Sequence, residues 1–196
     1  MLSFVPQLRD AAVEAQVHVR WDVKTGADSE ANNINRAPTA TDIATLIAAP
    51  TPKSWPPASR VAKWETTVWR LGITSPVTLV GYAAETDKDY HLVLSDANNK
   101  TMIVEIPDPT LLAAANHFKG DIKAARQAFD AKFGMQMQAL MALAASQPQN
   151  VEPPMIVHVS VPVRVTGIGF FDFIHGQDGV APNGVELHPV LSLAFS

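Results

Sequence analysis

The sequence predicts a mainly β protein with one long helix, in which three strands precede the helix and two follow it. Apolar residues recur at spacings of three and four between Ile122 and Ala144, as on one face of a helix. Valine alternates with other residues from Val157 to Val165, as in a strand with one buried face. This order is that of the five-stranded oligonucleotide/oligosaccharide-binding (OB) barrel. We therefore expect a five-stranded OB-like barrel (β-β-β-α-β-β); an antiparallel sandwich accounts less well for the helix.

The composition limits the classes of function. The chain has 196 residues, a formal net charge of −4, 17% charged residues and no cysteine. This excludes thiolate metal sites and a cysteine nucleophile, and it disfavours a nucleic-acid partner, which needs a basic track.

No apolar run approaches the ~20 residues of a membrane helix, so we expect a soluble protein without a membrane partner. The first residues lack a signal-peptide pattern, but a trimmed exported form would look the same. The compartment and the oligomeric state stay open.

The chain is predicted to have two parts. Residues 1–60 are predicted to form an N-terminal extension, and residues 61–196 are predicted to form the barrel domain. The extension contains a stretch, 25–38, that is rich in Gly, Asp, Asn and Ser, which is a loop composition. One strand is predicted at 17–19, and a proline-rich connector ends the extension.

Two helices are predicted. A short one spans 41–49, with Thr41 as its N-cap and a proline directly after it. The long helix carries the apolar stripe at 122–144, and Asp121 is placed to cap its start. Gly134 weakens this helix by about 1 kcal/mol, so a kink or a division is expected there.

Three strands are predicted before the long helix. The β-branched and aromatic segment 67–82 indicates one long, curved strand with a bend at Gly72. The segments 90–95 and 101–106 form the second and third strands, joined by a turn of Asp, Ala and Asn residues.

Two strands are predicted after the helix. The first covers 157–166, where Pro162 cannot donate to a neighbouring strand and indicates an unpaired side or a bulge. The second covers 185–193, with aliphatic residues on one face. Glu186 and His188 lie two residues apart on its other face, so their side chains project together.

A metal site is predicted near the turn 85–89, where carboxylates occupy alternate positions. Three carboxylates at this spacing resemble half of an oxygen-rich calcium loop. The expected cofactor is a divalent cation, with calcium as the expected ion, and four residues are predicted to hold it: Asp87, Asp89, Glu105 and Asp172. The alternative is a solvated hairpin turn.

Catalytic and substrate-binding residues are predicted mainly in the glycine-rich loop 169–184 and the strand after it. A carboxylate beside an imidazole can orient it as a general base. The predicted catalytic residues are His188, Glu186 and His175. The predicted substrate contacts are His91, Gln177, Asn183 and Phe171. The alternatives are a hydrogen-bonded structural role for each histidine and a core role for the phenylalanines.

Three segments carry a resemblance to known proteins: 87–94 (DKDYHLVL), 101–107 (TMIVEIP) and 165–191 (VTGIGFFD…HGQ…APNGVELHPVL). They resemble a largely uncharacterised family of small bacterial proteins, many of which are exported. The resemblance covers residues 61–195, and its last segment is the most specific. It implies a site shared within the family and no particular reaction.

Two functions of different classes fit these patterns. The first is a divalent-metal-dependent hydrolase of a small neutral ester or lactone, with His188 or His175 as general base. The second is a non-catalytic OB-fold module that binds a saccharide, a peptide or single-stranded nucleic acid. Its stacking platform would consist of Trp64, Trp69, Tyr82 and Tyr90. A purely structural domain is a third possibility. A G-x-S-x-G elbow, an H-E-x-x-H motif and a P-loop do not occur in the sequence.

Overall fold

The computed structural model describes residues 20–146, 155–174 and 176–196. A single 3-10 turn, Ala31–Asn33, follows the first helix in this part of the chain. Three α-helices and seven strands lie within these ranges: α1 Trp21–Thr25, β1 Asn35–Ala40, α2 Ile43–Ile47, β2 Thr67–Leu71, β3 Val77–Ala84, β4 Tyr90–Asp96, β5 Thr101–Ile106, α3 Lys119–Ala145, β6 Val157–Phe171 and β7 Val185–Phe195. The prediction of a mainly β protein with one long helix is confirmed.

The strands form one mixed sheet in the order β1-β2-β6-β3-β4-β5-β7, with a further pairing of β6 with β7. That pairing turns β6, β3, β4, β5 and β7 into a partial ring of five strands. Most neighbours are antiparallel, but β5 and β7 run parallel and are registered through one pair, Val104 with Leu187. The ring is therefore incomplete between β5 and β7, and β1 and β2 extend the sheet beyond it.

The prediction of one long strand over 67–82 is wrong, because the structure has two strands, β2 and β3, at this place. Both strands pair with β6 but at different heights along it: Leu71 is opposite Val165, and Thr78 is opposite Pro162. Gly72 separates them in a left-handed conformation, with φ of 80°. A β-carbon there would lie 2.5 Å from the Val163 carbonyl oxygen, so the bend requires glycine.

Helix α3 is continuous from Lys119 to Ala145, and the expected interruption at Gly134 does not occur. Its apolar stripe packs against the sheet, and burial of side chains such as Phe129 and Met137 outweighs the cost of one helical glycine. The predicted cap at Asp121 is wrong, because the N-cap position is Phe118 and has no side-chain cap. Asp121 instead lies in the first turn, where its carboxylate suits the helix dipole.

The described part of the predicted extension contains a strand that the sequence pattern did not indicate. β1 pairs in parallel with β2, yet all six of its residues are exposed. An edge strand with two solvated faces has no apolar alternation, so the stretch 25–38 looked like a loop. Helix α2 is capped by Asp42, whose Oδ1 accepts the Thr45 N–H at 2.7 Å, and Thr41 is therefore not the N-cap. The strand predicted at 17–19 lies outside the described residues.

A buried ion pair fastens the start of the described chain to the sheet. Both oxygens of Glu65 accept hydrogen bonds from Arg20, at 2.8 and 2.6 Å. The same two oxygens accept the backbone N–H groups of Phe171 and Val61. Arg60 adds a hydrogen bond to the Glu65 carbonyl and an ion pair with Asp28. This Glu65 network also fixes the end of β6, which directly precedes Asp172.

Candidate functional site

Polar side chains converge at one end of the five-stranded ring. They come from the β3–β4 turn, the ends of β4, β5 and β6, the start of β7, and helix α1. We call this group the buried charge cluster; it consists of Lys24, Glu85, Asp87, Asp89, His91, Glu105, Asp172, Glu186 and His188.

Strand register explains why distant residues meet here. His91 is the cross-strand partner of Glu105 in the antiparallel β4–β5 pair. Val104 is opposite Leu187 in the parallel β5–β7 pair, so Glu105 and His188, the next residues, lie side by side. The first six residues of β7 are buried without alternation, because both of its faces are covered here. The polar face predicted for this strand therefore points into the protein.

His188 is held with both ring nitrogens as donors. Its Nδ1 lies 2.8 Å from the Lys24 carbonyl oxygen, which can only accept, so this nitrogen carries a proton. Its Nε2 lies 3.2 Å from Asp89 Oδ2 and 3.0 Å from Glu105 Oε2. Burial acts to lower the pKa of His188, but the close contacts of its Nε2 with the Asp89 and Glu105 carboxylates outweigh it and raise the pKa to about 10.

His91 repeats this arrangement on the other side of Glu105. Its Nε2 lies 3.3 Å from the Asp178 carbonyl oxygen. Its Nδ1 lies 3.2 Å from Glu85 Oε1 and 3.3 Å from Glu105 Oε1. Burial opposes protonation, yet the hydrogen bonds with Glu105 and Glu85 hold the pKa of His91 well above its usual value. Glu105 therefore uses one carboxylate oxygen toward each histidine.

Lys24 places a buried ammonium group between two carboxylates. Its Nζ lies 2.8 Å from Asp172 Oδ2 and 3.6 Å from Glu105 Oε2. Burial acts to lower the pKa of Lys24, but the attraction of Asp172 and Glu105 raises it well above its usual value. Burial likewise acts to raise the pKa of Glu105, but Lys24 and His188 hold it well below the ordinary range.

The cluster contains more acid than base: six carboxyl groups surround one lysine and two histidines. This excess of carboxyl groups contributes to raised pKa values for three of them. Burial, and then the neighbouring Glu105 and Asp172, raises the pKa of Glu186 well above its usual value. Burial and nearby carboxylates raise the pKa of Asp87 and of Asp89 to about 6. Among the residues that the structure describes, Oε2 of Glu186 and Oε2 of Glu105 are buried and accept no hydrogen bond.

These residues fit a divalent cation. Two groups of three have ligand atoms within 4.8 Å of one another: Glu85, His91 and Glu105, and Asp89, Glu105 and His188. In each group, the other ring nitrogen of the histidine is hydrogen-bonded to a backbone carbonyl oxygen. Such a hydrogen bond commonly orients a metal-binding imidazole. Oε2 of Glu105 and Oε2 of Glu186 accept no hydrogen bond from the described residues, so both remain able to contact a bound cation.

Two cavities flank the cluster. The first, which we call the Asp87 cavity, has a volume of about 510 Å³ and is lined by Trp21, Thr86, Asp87, Lys88 and Leu111. The second, the Asp172 cavity, has a volume of about 210 Å³, and its lining includes Trp55, Phe171, Asp172, Phe173, Ile174 and Asn183. Each cavity thus has one carboxylate of the cluster in its wall.

The structure brings most of the predicted chemical residues together. Five lie inside the cluster: Asp89, His91, Glu105, Glu186 and His188. Asp87 lies at its edge, where its Oδ1 accepts the Asp89 N–H at 3.1 Å, and Asp172 contacts Lys24. Glu186 is not among the hydrogen-bond partners that orient His188; those partners are Lys24 and Asp89. His175 lies outside the described residues.

Three of the predicted substrate contacts, which stay predictions, have structural partners in the fold. Asn183 donates to the carbonyls of Leu46 and Ala49, both at 3.0 Å, and so ties the β6–β7 loop to the end of α2. Gln177 donates to the Phe173 carbonyl within the same loop. Phe171 is part of the hydrophobic core and lines the Asp172 cavity.

Sequence reasoning missed two members of the cluster. Lys24 belongs to a five-residue helix with no apolar period, and its partners lie more than 80 positions away in the chain. No local pattern marks it. Glu85 stands in the predicted acidic turn but received no role, although its alternate spacing with Asp87 and Asp89 was the available signal.

Comparison of the chain with protein-family models, with curated proteins and with solved structures finds no match. In the part of the chain that the structure describes, none of the helices has the length and hydropathy required to cross a bilayer. The chemistry of the buried charge cluster therefore carries the functional inference.

Proposed function

We propose that this protein is a divalent-metal-dependent hydrolase that acts on a small neutral ester or lactone. The observation that carries the proposal is the acid-rich cluster itself, with two buried carboxylate oxygens that accept no hydrogen bond from the described residues and two histidines that are hydrogen-bonded to backbone carbonyls. Burying so much negative charge costs stability unless a proton or a cation compensates it. A binding or catalytic role explains why such an arrangement is kept.

We also propose that the five-stranded ring is an OB-like barrel. Its support is the pairing pattern: β3–β4–β5 is an antiparallel meander, β5 is parallel to β7, and β6 is antiparallel to both β7 and β3. Ligands of OB barrels meet the second and third strands and two adjoining loops. The cluster lies at the corresponding elements, β4, β5 and the turns that follow β3 and β6.

Asp89, Glu105 and His188 would hold the catalytic cation. A mixed set of imidazole and carboxylate ligands favours a transition-series ion such as zinc or manganese, whereas calcium prefers six to eight oxygen ligands. Such a cation, when bound, polarises a carbonyl group and lowers the pKa of a water molecule.

The side chains of the protein have separate roles in this proposal. Asp87, in the wall of its cavity, takes a proton from the attacking water. The Lys24 ammonium stabilises negative charge on the carbonyl oxygen. Glu186, a buried carboxyl without a partner for Oε2, gives a proton to the leaving oxygen. Water and ester are thereby converted to acid and alcohol. His188 has no lone pair for a base role as long as both of its nitrogens donate.

The Asp87 cavity is the proposed substrate site. Its volume of about 510 Å³ lies within the ~300–1,000 Å³ of typical small-molecule sites, and Trp21 and Leu111 give it apolar walls. Neighbouring carboxylates disfavour an anionic substrate. The alternative, a module that stacks bases or sugars, is less favoured, because three residues of its predicted platform, Trp69, Tyr82 and Tyr90, are buried in the core and only Trp64 is partly exposed.

Removal of the metal tests the proposal. We expect chelated protein to bind zinc or manganese in calorimetry, and metal-loaded protein to hydrolyse a neutral phenyl ester or a small lactone at least ~100-fold faster than chelated protein. Calcium is titrated in parallel. His188→Gln should lose binding and turnover, whereas the exposed His158→Gln should keep both. Turnover that survives chelation would remove the metal from the proposal, and bound metal without turnover of either substrate would remove hydrolysis.

Blocking each cavity tests the assignment of the substrate site. Leu111 and Ile174 line different cavities and are similarly exposed, at 49% and 46%, so they form a matched pair. We expect Leu111→Trp to raise KM about tenfold with little change in thermal stability, because the indole fills the Asp87 cavity. Ile174→Trp should leave KM unchanged. The reverse result would assign the substrate to the Asp172 cavity.

A further inference from the structure

We propose that the cluster binds two divalent cations, with Glu105 as the bridge between them. This inference rests on the proposed function for its first ion, the one held by Asp89, Glu105 and His188. The second ion is held by Glu85, His91 and the other oxygen of Glu105.

The geometry around Glu105 is nearly symmetric. Oε1 faces His91 Nδ1 at 3.3 Å, and Oε2 faces His188 Nε2 at 3.0 Å. Each histidine has one further carboxylate on the same nitrogen, Glu85 at 3.2 Å and Asp89 at 3.2 Å. A carboxylate that offers one oxygen to each of two similar ligand groups is suited to bridge two ions.

Two buried carboxylate oxygens that accept no hydrogen bond from the described residues point independently to a ligand. Glu105 is 4% exposed, and its Oε2 accepts no hydrogen bond from the described residues, although His188 Nε2 and Lys24 Nζ lie 3.0 and 3.6 Å away. The hydrogen bond of that nitrogen goes to Asp89. Oε2 of the 1% exposed Glu186 is also without a partner. Buried polar atoms are rarely left in this state unless water, an ion or a substrate completes the site.

The charge balance favours two ions over one. Each divalent cation that takes the place of an imidazole proton adds a net positive charge to a cluster with six carboxyl groups and three basic groups. With a single ion, the six carboxyl groups would still outnumber the positive charges of the cluster. Two ions bring the cluster closer to neutrality, which lowers the cost of burying it.

The two positions differ in access. The side chains of Asp89 and His188 are fully buried, whereas 15% of the Glu85 side chain is exposed. Glu85 also directly precedes Thr86 and Asp87, which line the Asp87 cavity. The second position is therefore the more accessible of the two, and we expect its ion to bind more weakly and to exchange faster.

Manganese titration of chelated full-length protein tests this inference without reference to turnover. We expect about two ions per chain by calorimetry, and an electron paramagnetic resonance spectrum with the exchange splitting of a coupled pair. Glu85→Gln and His91→Gln should each reduce the stoichiometry to about one and abolish the splitting. Asp130→Asn, an exposed carboxylate on α3, should leave both unchanged.

The outcomes separate the two proposals. One ion per chain with metal-dependent turnover would overturn the bridged pair and leave the hydrolase standing. Binding of no ion would overturn both. Two ions that remain uncoupled, or that persist in Glu85→Gln and His91→Gln, would show that the second ion binds elsewhere, and the bridge at Glu105 would be withdrawn. Circular dichroism of each variant confirms that it is folded.

Discussion

Glu65→Ala is expected to lower the free energy of unfolding by about 3–5 kcal/mol, the range measured when one partner of a buried ion pair is removed. Glu65 is completely buried and accepts two hydrogen bonds from Arg20. Without the carboxylate, the largely buried Arg20 guanidinium loses the counter-charge that the described residues give it. The N–H groups of Phe171 and Val61 lose their acceptors as well. Urea unfolding monitored by tryptophan fluorescence measures the change.

A surface ion pair provides the control. Arg36 and Asp121 are 3.0 Å apart, but their side chains are 56% and 48% exposed. Exposed pairs contribute about 0–1 kcal/mol, so Asp121→Ala should have a correspondingly small effect. Equal effects of the two substitutions would contradict the role given to burial. The Glu65 substitution should also weaken the site, because Phe171, which donates to Glu65, directly precedes Asp172.

Periodicity predicted the elements that pack against the core. The stripe on α3 and the alternation in β6 and β7 arise because one face of each element is buried. A buried face requires apolar residues at regular spacings, and these spacings are visible in the local sequence. The same reasoning failed at β1, an edge strand whose six residues are all exposed. It also failed around Gly72, because the strands on both sides are rich in β-branched and aromatic residues. The sequence does not show that each of them pairs with a different part of β6.

The candidate site could be predicted only in part, for a related reason. Asp89, His91 and Glu105 stand on adjacent strands, and Glu186 and His188 share one strand face, so a five-stranded order was enough to place them near one another. Lys24 reaches the cluster from a helix whose docking depends on tertiary contacts such as the Glu65 network. The roles of Asn183 and Gln177 could not be predicted either, because their partners are backbone carbonyls fixed by the fold.

The chelated protein is expected to lose stability as the pH rises from about 5 to 10, because most shifted groups in the cluster hold their protons more tightly when folded. The pKa of Asp89 is 3.8 ordinarily and about 6 in the fold, so its contribution is complete below 3.8 and is lost as the pH rises through 6. This shift corresponds to roughly 3 kcal/mol. The pKa of His188 rises from 6.5 to about 10, so its contribution is complete below 6.5 and is lost toward 10.

Glu105 is the opposing group. Its pKa is lowered in the fold, so its contribution is present above 4.5 and is lost as the pH falls below that value. The chelated protein should therefore be most stable near pH 4–5, unlike the many proteins whose stability is greatest between pH 5 and 8. Urea unfolding at a series of pH values measures this profile. Asp89→Asn should flatten the fall between pH 4 and 6, and the exposed Asp130→Asn should not.

A bound cation should reverse this profile. Zinc or manganese competes with protons for the same carboxylate and imidazole atoms, so its affinity, and with it the added stability, grows as the pH rises. Between pH 5 and 8, metal-loaded protein should gain stability relative to chelated protein by an amount that increases with pH. A chelated protein whose stability rises over this interval would mean that the carboxyl groups are compensated by something other than protons. The excess of negative charge, on which the metal centre depends, would then not exist.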